Sequence, residues 1–237
     1  NMVEFTIIVP VFNEKENLSR LEVELIKFIN SSKYKTKILI IDDGSNDGSK
    51  EIIKELCKKH NLFESISFTN NNGLSSALKA GFDLCNSEYI GYIDADLQTS
   101  PNDFHTLLEY IEDYDLVTGY RANRKDSLVK NLTSLAANSI RNLFTNDGIS
   151  DTGCPLKVIK TNYAKRIPMF NGLHRFLPAM ILLQKGRIIE IPVQHFPRIA
   201  GKTKFGLFNR ILGPLSDCFA FIWMKNKYIN YHIDNND

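Results

Sequence analysis

The feature that most limits what this chain can fold into is a set of short apolar runs, each too brief for a helix, that recur through its first 120 residues. "FTIIVPVF" (5–12), "TKILIID" (36–42), "SISF" (65–68), "EYIGYID" (88–94) and "YDLVTGY" (114–120) are rich in β-branched and aromatic residues and read as buried strands. Between them the apolar residues change period. Leu18, Leu21, Leu25, Ile26 and Ile29 fall on one helical face, as do Ile52, Ile53 and Leu56, and later Phe104, Leu107, Leu108 and Ile111. "GLSSALKAGFDL" supplies a small-residue helix between the third and fourth strands. Strands alternating with helices in this way predict an α/β fold with a mostly parallel, doubly wound sheet. Such sheets bind ligands beyond the carboxyl ends of their strands. The segments to inspect are therefore "PVFNE", "DDGSND", "DADLQ" and "GYRANR".

After residue 121 the pattern loosens into a polar, basic loop, a helix expected over 128–145, and "SDTGCPLKVIK". "RIIEIPVQHF" (187–196) is the last clear strand, and "PRIAGKTKFG" follows it as a basic loop. No internal repeat or low-complexity segment interrupts the chain. The expected division is an α/β domain over 2–204 and a helical tail over 205–237, with Asn1 set aside as an addition ahead of Met2. In the tail, Phe205, Phe208, Ile211 and Leu212 precede Pro214, and Leu215, Phe219, Ile222 and Trp223 follow it, which predicts two amphipathic helices. Trp223, Tyr228, Tyr231 and the flanking Lys225 and Lys227 suit a membrane surface; packing on the domain or on a second copy of the chain accounts for the same faces equally well. No run approaches the roughly 18 apolar residues of a spanning helix.

Charge is divided unevenly along the chain. Residues 1–118 hold 11 Lys/Arg against 20 Asp/Glu (net −9) and residues 119–237 hold 18 against 7 (net +11), for a total of +2. An acidic half suits a cation, and a basic half suits phosphates or anionic lipid. The basic residues are not interleaved with stacking aromatics in a nucleic-acid motif, so no nucleic-acid partner is expected. Four cysteines, Cys57, Cys85, Cys154 and Cys218, form no CxxC pair and read as reduced thiols of a cytosolic protein.

Neither GxxxxGK[ST] nor GxGxxG occurs, so the two common phosphate-cradling loops of α/β proteins are unsupported. Acidic residues stand at the strand ends instead. In an extended chain residues two apart point the same way, so Asp94, Asp96 and Gln98 can offer three oxygens to one side. Oxygen donors suit Mg²⁺ or Mn²⁺, and a divalent ion held there would neutralise a diphosphate leaving group. A DxD sequence is also a common turn.

"IIVPVFNEKENL", "IDDGSNDGS", "NNGLSSALKAGF" and "YIDADLQTSP", in this order and spacing, resemble the inverting family 2 glycosyltransferases of GT-A fold, which take sugars from nucleotide-sugar donors. "DADLQ" before a proline, the later "GYR" and "RIAGKTKFG" are similar to the branch that loads sugars onto polyprenyl phosphates, the dolichyl-phosphate mannosyltransferase type. The resemblance spans roughly residues 5–206. It implies that Pro10, Phe12 and Glu14 edge the nucleotide pocket with Asp43 bonding base or ribose. It further implies that Asp94, Asp96 and Gln98 hold the metal. Arg121, Lys130 and Ser134 would grip the acceptor phosphate, and Arg198 and Lys204 the donor diphosphate. Lys130 stands where the branch often carries arginine, and a lysine gives up the bidentate geometry.

The implied reaction moves a sugar from a UDP- or GDP-linked donor to undecaprenyl or dolichyl phosphate, in cell-envelope glycan synthesis. A phosphate monoester has its second pKa near 6, so it is already an oxyanion at neutral pH and needs cations rather than a strong base. A sugar or protein hydroxyl would need a positioned carboxylate. Asp126, Asp147 and Asp151 are the only acidic residues from 119 to 189, and Asp151 in "SDTGC" is the reserve base of that alternative. A binding module without catalysis is the third reading. Many relatives continue into transmembrane helices; the polar ending "HIDNND" leads instead to the expectation of a peripheral enzyme on the inner face of the cell membrane.

Overall fold

The computed structural model describes residues 3–122, 138–197 and 212–230. Strands β1 (Phe5–Val11), β2 (Thr36–Asp42), β3 (Phe63–Ser67), β4 (Tyr89–Tyr92), β5 (Leu116–Arg121), β6 (Lys157–Lys160) and β7 (Ile188–Val193) form one sheet in the order β3-β2-β1-β4-β6-β5-β7. Every pairing is parallel except those of β6, which runs antiparallel to both β4 and β5. Helices α1 (Leu18–Ser31), α2 (Ser49–Lys59) and α4 (Phe104–Glu109) cover one face. Helices α3 (Leu74–Leu84), α6 (Thr161–Lys165), α7 (Leu177–Leu183) and α8 (Leu212–Lys227) cover the other. A further helix, α5, is described over 138–145.

The central strands β1, β2 and β4 are mostly apolar because both faces of the sheet are covered there. Phe5, Ile7, Val9 and Val11 of β1 point into the α1/α2/α4 layer, and Ile8 points into the other. Ile38 and Ile40 alternate with Leu39 and Ile41 in the same way along β2. Gly81 of α3 lies against Ile8, where an added Cβ would sit 2.6 Å from the isoleucine Cδ1, so only glycine lets α3 settle this close to β1.

The doubly wound sheet matches the expectation, and two elements differ from it. β6 lies within "SDTGCPLKVIK", where no strand is legible because Lys157 and Lys160 bound only two apolar residues. In the tail, Phe205, Phe208 and Ile211 lie outside the described residues; Pro214 sits inside α8 rather than before it, in the first turn, where a backbone N–H has no intrahelical partner to lose. Cys218, Phe221 and Met224 of α8 are buried in the α3/α7 layer, while Phe219 and Trp223 remain exposed.

β1 has β2 on one side and β4 on the other, so the direction of winding reverses between β1 and β4. The crevice beyond their carboxyl ends is where a doubly wound sheet admits a ligand.

Candidate active site

Two loops line that crevice from the acidic half, and they are interlocked through their backbones. The N–H groups of Asn13, Glu14 and Lys15, just after β1, donate to Ser45 Oγ, Ser49 Oγ and Asp47 Oδ2 at 3.0–3.1 Å. Asn46 N–H returns a bond to Asn13 Oδ1 at 2.9 Å. Burial alone would raise Asp47, but the bonds it accepts from Ser49 and Lys15 outweigh this and hold its carboxyl below the ordinary aspartate range. Gly44 turns at φ +72° against the backbone of Asn70, 2.5 Å from where a Cβ would stand, so no other residue fits there.

Asp43 is buried at the end of this loop and accepts from Asn72 N–H (2.7 Å), Gly73 N–H (2.8 Å) and the Asn71 side chain (2.9 Å). Its carboxylate thus fixes the 71–73 loop at the start of α3; a bond to a base or ribose would come in addition to these three. Pro10 is the last but one residue of β1, and Phe12 and Glu14 follow the strand half-buried at the crevice. Glu14 Oε2 accepts from Asn17 Nδ2 at 2.6 Å, and Glu14 lies near enough to Asp94 for its charge to be felt there.

The acidic motif departs from the extended geometry expected of it. β4 ends at Tyr92, Leu97 N–H bonds back to Asp94 O at 3.4 Å, and Leu97 has φ +51°. Residues 94–98 are therefore a turn, and the period of two does not carry through to Gln98. Asp96 Oδ1 accepts from Gln98 N–H at 3.2 Å, which ties the turn to itself. The period does hold from Tyr92 to Asp94, and the Tyr92 hydroxyl donates to Asp94 Oδ1 at 2.8 Å.

Burial and the neighbouring Asp96 charge push Asp94 up to about 6, against the pull of the Tyr92 bond and of Lys157. Lys157, paired with Tyr92 across β4 and β6, is buried with its ammonium donating to the carbonyls of Thr152 and Cys154. Burial pulls its pKa down. Two neighbouring carboxylates that repel one another, Asp96 buried and Asp94 half-buried, fit a hard divalent cation. Among the described residues no group of three or more His, Cys, Asp or Glu is arranged for a metal, so an ion here would take its other ligands from Gln98, water and a diphosphate, as Mg²⁺ commonly does.

Across the crevice, Arg121 at the end of β5 and Asp151 form one bidentate pair. Nε and Nη2 of Arg121 each lie 2.7 Å from an Asp151 oxygen, and its backbone N–H adds a third bond at 3.2 Å. Glu190 of β7 accepts from the backbone N–H groups of Ser150 and Asp151 and so fixes the loop. The two residues expected to serve different acceptors are held against each other. Lys130, Ser134, Arg198 and Lys204 lie outside the described residues. The segment entering the basic loop is anchored to the acidic turn by Phe196 N–H, which donates to Gln98 O at 2.9 Å, and to the residues beyond the turn by Gln194 N–H, which donates to Asp103 Oδ2 at 2.9 Å.

Tyr92, Lys157 and Arg20, whose Nη2 donates to the Asp96 and Leu97 carbonyls, belong to the site without having been singled out by sequence. Tyr92 was legible, since a strand places it on the face of Asp94; Lys157 was hidden by the unrecognised β6. Arg20 carried a weaker signal, a cation in the first turn of a helix.

Comparison with known proteins gives the family and the fold type. The sequence pattern described as Glycosyl transferase family 2 matches residues 6–167. A dodecaprenyl-phosphate galacturonate synthase of Rhizobium johnstonii is 30% identical over 226 residues, covering 92% of this chain and 67% of the relative. An undecaprenyl-phosphate 4-deoxy-4-formamido-L-arabinose transferase of Edwardsiella ictaluri is 31% identical over 208 residues, covering 87% of this chain and 64% of the relative. The chain thus spans about two thirds of the length of these relatives. Among solved structures, a glucosyl-3-phosphoglycerate synthase of Mycobacterium tuberculosis in complex with phosphoglyceric acid superposes with a TM-score of 0.70 at 13% identity, over 96% of this chain and 81% of that one. A mannosyltransferase of Pyrobaculum calidifontis in complex with GDP-mannose and Mn²⁺ gives 0.62 at 18% identity, over 93% and 64%. These likenesses establish the GT-A type of α/β fold.

Proposed function

This chain belongs to glycosyl transferase family 2, and we propose that it moves a hexosyl-type sugar from a nucleoside diphosphate to a polyprenyl phosphate, with inversion and with help from Mg²⁺ or Mn²⁺. The observation that carries the reading is the pair of adjacent carboxylates, half-buried Asp94 and buried Asp96, at the switch point of the sheet, with Asp94 raised to about 6 by desolvation and by its neighbour. A divalent cation there would neutralise charge growing on the departing diphosphate. Pro10, Phe12, Glu14 and the loop fixed by Asp43 form the nucleoside edge of the crevice. Arg198 and Lys204 attend the diphosphate, and Arg121, Lys130 and Ser134 receive the acceptor phosphate.

In the reaction an acceptor phosphate oxygen forms a bond to the anomeric carbon from the face opposite the diphosphate. The bond to the diphosphate oxygen breaks as this one forms, and the nucleoside diphosphate leaves with the electron pair. No proton need be removed, because the phosphate is already ionised at neutral pH. The Arg121–Asp151 pair supports a phosphate acceptor over a hydroxyl. Both Asp151 oxygens already accept from one guanidinium, a poor arrangement for a base, whereas a guanidinium is well shaped to exchange a carboxylate for a phosphate. The names of the two polyprenyl-phosphate relatives support the same choice.

A polyprenyl acceptor places the enzyme at a membrane surface, and we assign that contact to the 205–237 tail at the inner face of the cell membrane. Phe219 and Trp223 on the outer face of α8 are 60% and 68% exposed, next to Lys225 and Lys227. No helix among the described residues is long and apolar enough to cross a membrane.

Incubation with UDP- and GDP-sugars, Mn²⁺ and a short-chain polyprenyl phosphate tests the proposal. A lipid-extractable, acid-labile sugar product is expected. Transfer to a hydroxyl acceptor in preference to the phosphate would overturn the acceptor assignment.

A further inference from the structure

Arg20 occupies the first turn of α1, a helix whose opening turn carries no acidic residue. A cation there faces the positive end of the helix dipole, a placement that is locally unfavourable. Its tertiary bonds explain why an arginine stands there. Arg20 Nη2 donates to Leu97 O at 3.0 Å and to Asp96 O at 3.3 Å, so one guanidinium nitrogen gathers two successive carbonyls of the acidic turn. Its Nη1 is buried and has no hydrogen-bond partner among the described residues. Local preference has been overridden for a long-range contact, which is how positioning residues betray themselves.

The turn needs such a brace. Leu97 is buried and holds φ +51°, in the left-handed region that an ordinary side chain resists. The turn's own bonds are long: 3.4 Å from Leu97 N–H to Asp94 O and 3.2 Å from Gln98 N–H to Asp96 Oδ1. Left to itself, a backbone of this kind would relax, and the Asp96 carboxylate would swing with its peptide. The other restraint, Phe196 N–H on Gln98 O, acts one residue beyond Leu97.

We propose that Arg20 is a positioning residue for cation binding: by holding the carbonyls of Asp96 and Leu97 it keeps the strained turn in the form that aims the Asp94 and Asp96 carboxylates at one point. It touches neither substrate nor metal. The proposal rests on the metal reading of Asp94 and Asp96 given above, so the test must separate the two.

The experiment measures Mn²⁺ affinity directly, by electron paramagnetic resonance of free Mn²⁺ in the presence of UDP or GDP, on wild type, Arg20→Ala, Arg20→Lys and Asp96→Asn. Melting curves on the same samples confirm that each variant is folded at the assay temperature. Outer partners of metal ligands typically change affinity by about tenfold to a hundredfold, and Arg20→Ala is expected to weaken Mn²⁺ at the lower end of that range. Arg20→Lys can still reach one carbonyl without the orphaned second nitrogen, and should recover part of the loss. If Asp96→Asn weakens Mn²⁺ and Arg20→Ala does not, the positioning role is wrong and the metal site stands. If neither variant affects Mn²⁺, the metal reading fails and this proposal fails with it. A lower melting temperature for Arg20→Ala with unchanged Mn²⁺ affinity would make the contact structural only.

Discussion

The crevice loops of the acidic half and the ion pairs of the basic half handle charge in opposite ways. In those loops, carboxylates are satisfied by backbone N–H groups, Asp43 by Asn72 and Gly73 and Asp47 by Lys15 and Ser49, while the ion pairs of that half, such as Lys59–Glu22 and Lys79–Asp83, involve exposed lysines. In the basic half, three arginines are satisfied by carboxylates: Arg121 by Asp151, Arg141 by Asp147, Arg175 by Asp217. The first arrangement locks loops without a cation, beside two aspartates, Asp94 and Asp96, whose charges act on one another. The second holds positive charge in ion pairs. Net charge of −9 and +11 therefore does not by itself say how readily either half would accept a ligand.

The largest effect that would break this contrast belongs to the Asp94 and Asp96 pair. Asp96→Asn is expected to lower transfer by about a thousandfold or more, the scale of losing a principal electrostatic stabiliser of the leaving group, with little change in melting. Undiminished turnover would mean that this pair is not the catalytic feature. Next comes Arg141, whose guanidinium lies in the buried pair with Asp147 and also bonds Ile149 O at 2.8 Å. Arg141→Ala leaves Asp147 buried without its partner and is expected to cost about 3–5 kcal/mol in chemical denaturation. A cost below 1 kcal/mol would show that the second half does not build its structure from stored ion pairs.

What the sequence made legible follows the same division. The strands of the first half were readable because strands buried on both faces are continuous apolar runs, and their ends located Phe12, Asp43 and Asp94 at once. β6 was not, since Lys157 is a charged residue that the fold buries by giving its ammonium the carbonyls of Thr152 and Cys154, a folded-back loop that no residue pattern announces. The turn at Leu97 was equally hidden. Leucine carries no signal for positive φ, and the restraint that keeps it there comes from Arg20, 77 residues earlier. Arg121 and Asp151 were each found as candidates; their pairing needed the antiparallel β6 between β4 and β5 to bring the 151 loop back across the sheet.

Asp151→Asn sharpens the comparison from the side of the stored pair. An amide cannot hold the guanidinium as a carboxylate does, so Arg121 becomes easier for a phosphate to capture. The expected result is a several-fold lower KM for polyprenyl phosphate with kcat within about tenfold of wild type, measured against saturating donor. Loss of kcat by about a hundredfold or more, the contribution of a general base, would instead establish Asp151 as that base and restore a hydroxyl acceptor.

The smallest effect separates the halves by pH. His174 is 2.8 Å from Ser75 Oγ through Nδ1, and Ser75 Oγ also accepts from Gly172 N–H, which leaves its hydroxyl proton for the imidazole. Burial, with Arg175 and Lys157 nearby, pulls His174 down to about 3 from an ordinary value of 6.5. The unfolded chain therefore takes up a proton below pH 6.5 that the folded chain refuses, and stability attributable to this group falls as pH drops from 6.5 towards 3. Asp47 behaves in the opposite range. Its depressed carboxyl contributes stability that is present above pH 3.8 and lost only as pH falls below it. Between pH 6.5 and 4, acid should thus loosen the layer around His174 while the interlocked loops of the first half stay closed. Denaturation of metal-free wild type and His174→Gln at pH 7 and pH 5 measures this: the variant is expected to lose less stability over that interval. An equal loss in both would show that the basic half carries no such proton-refusing group, and would remove pH from the differences between the two regions.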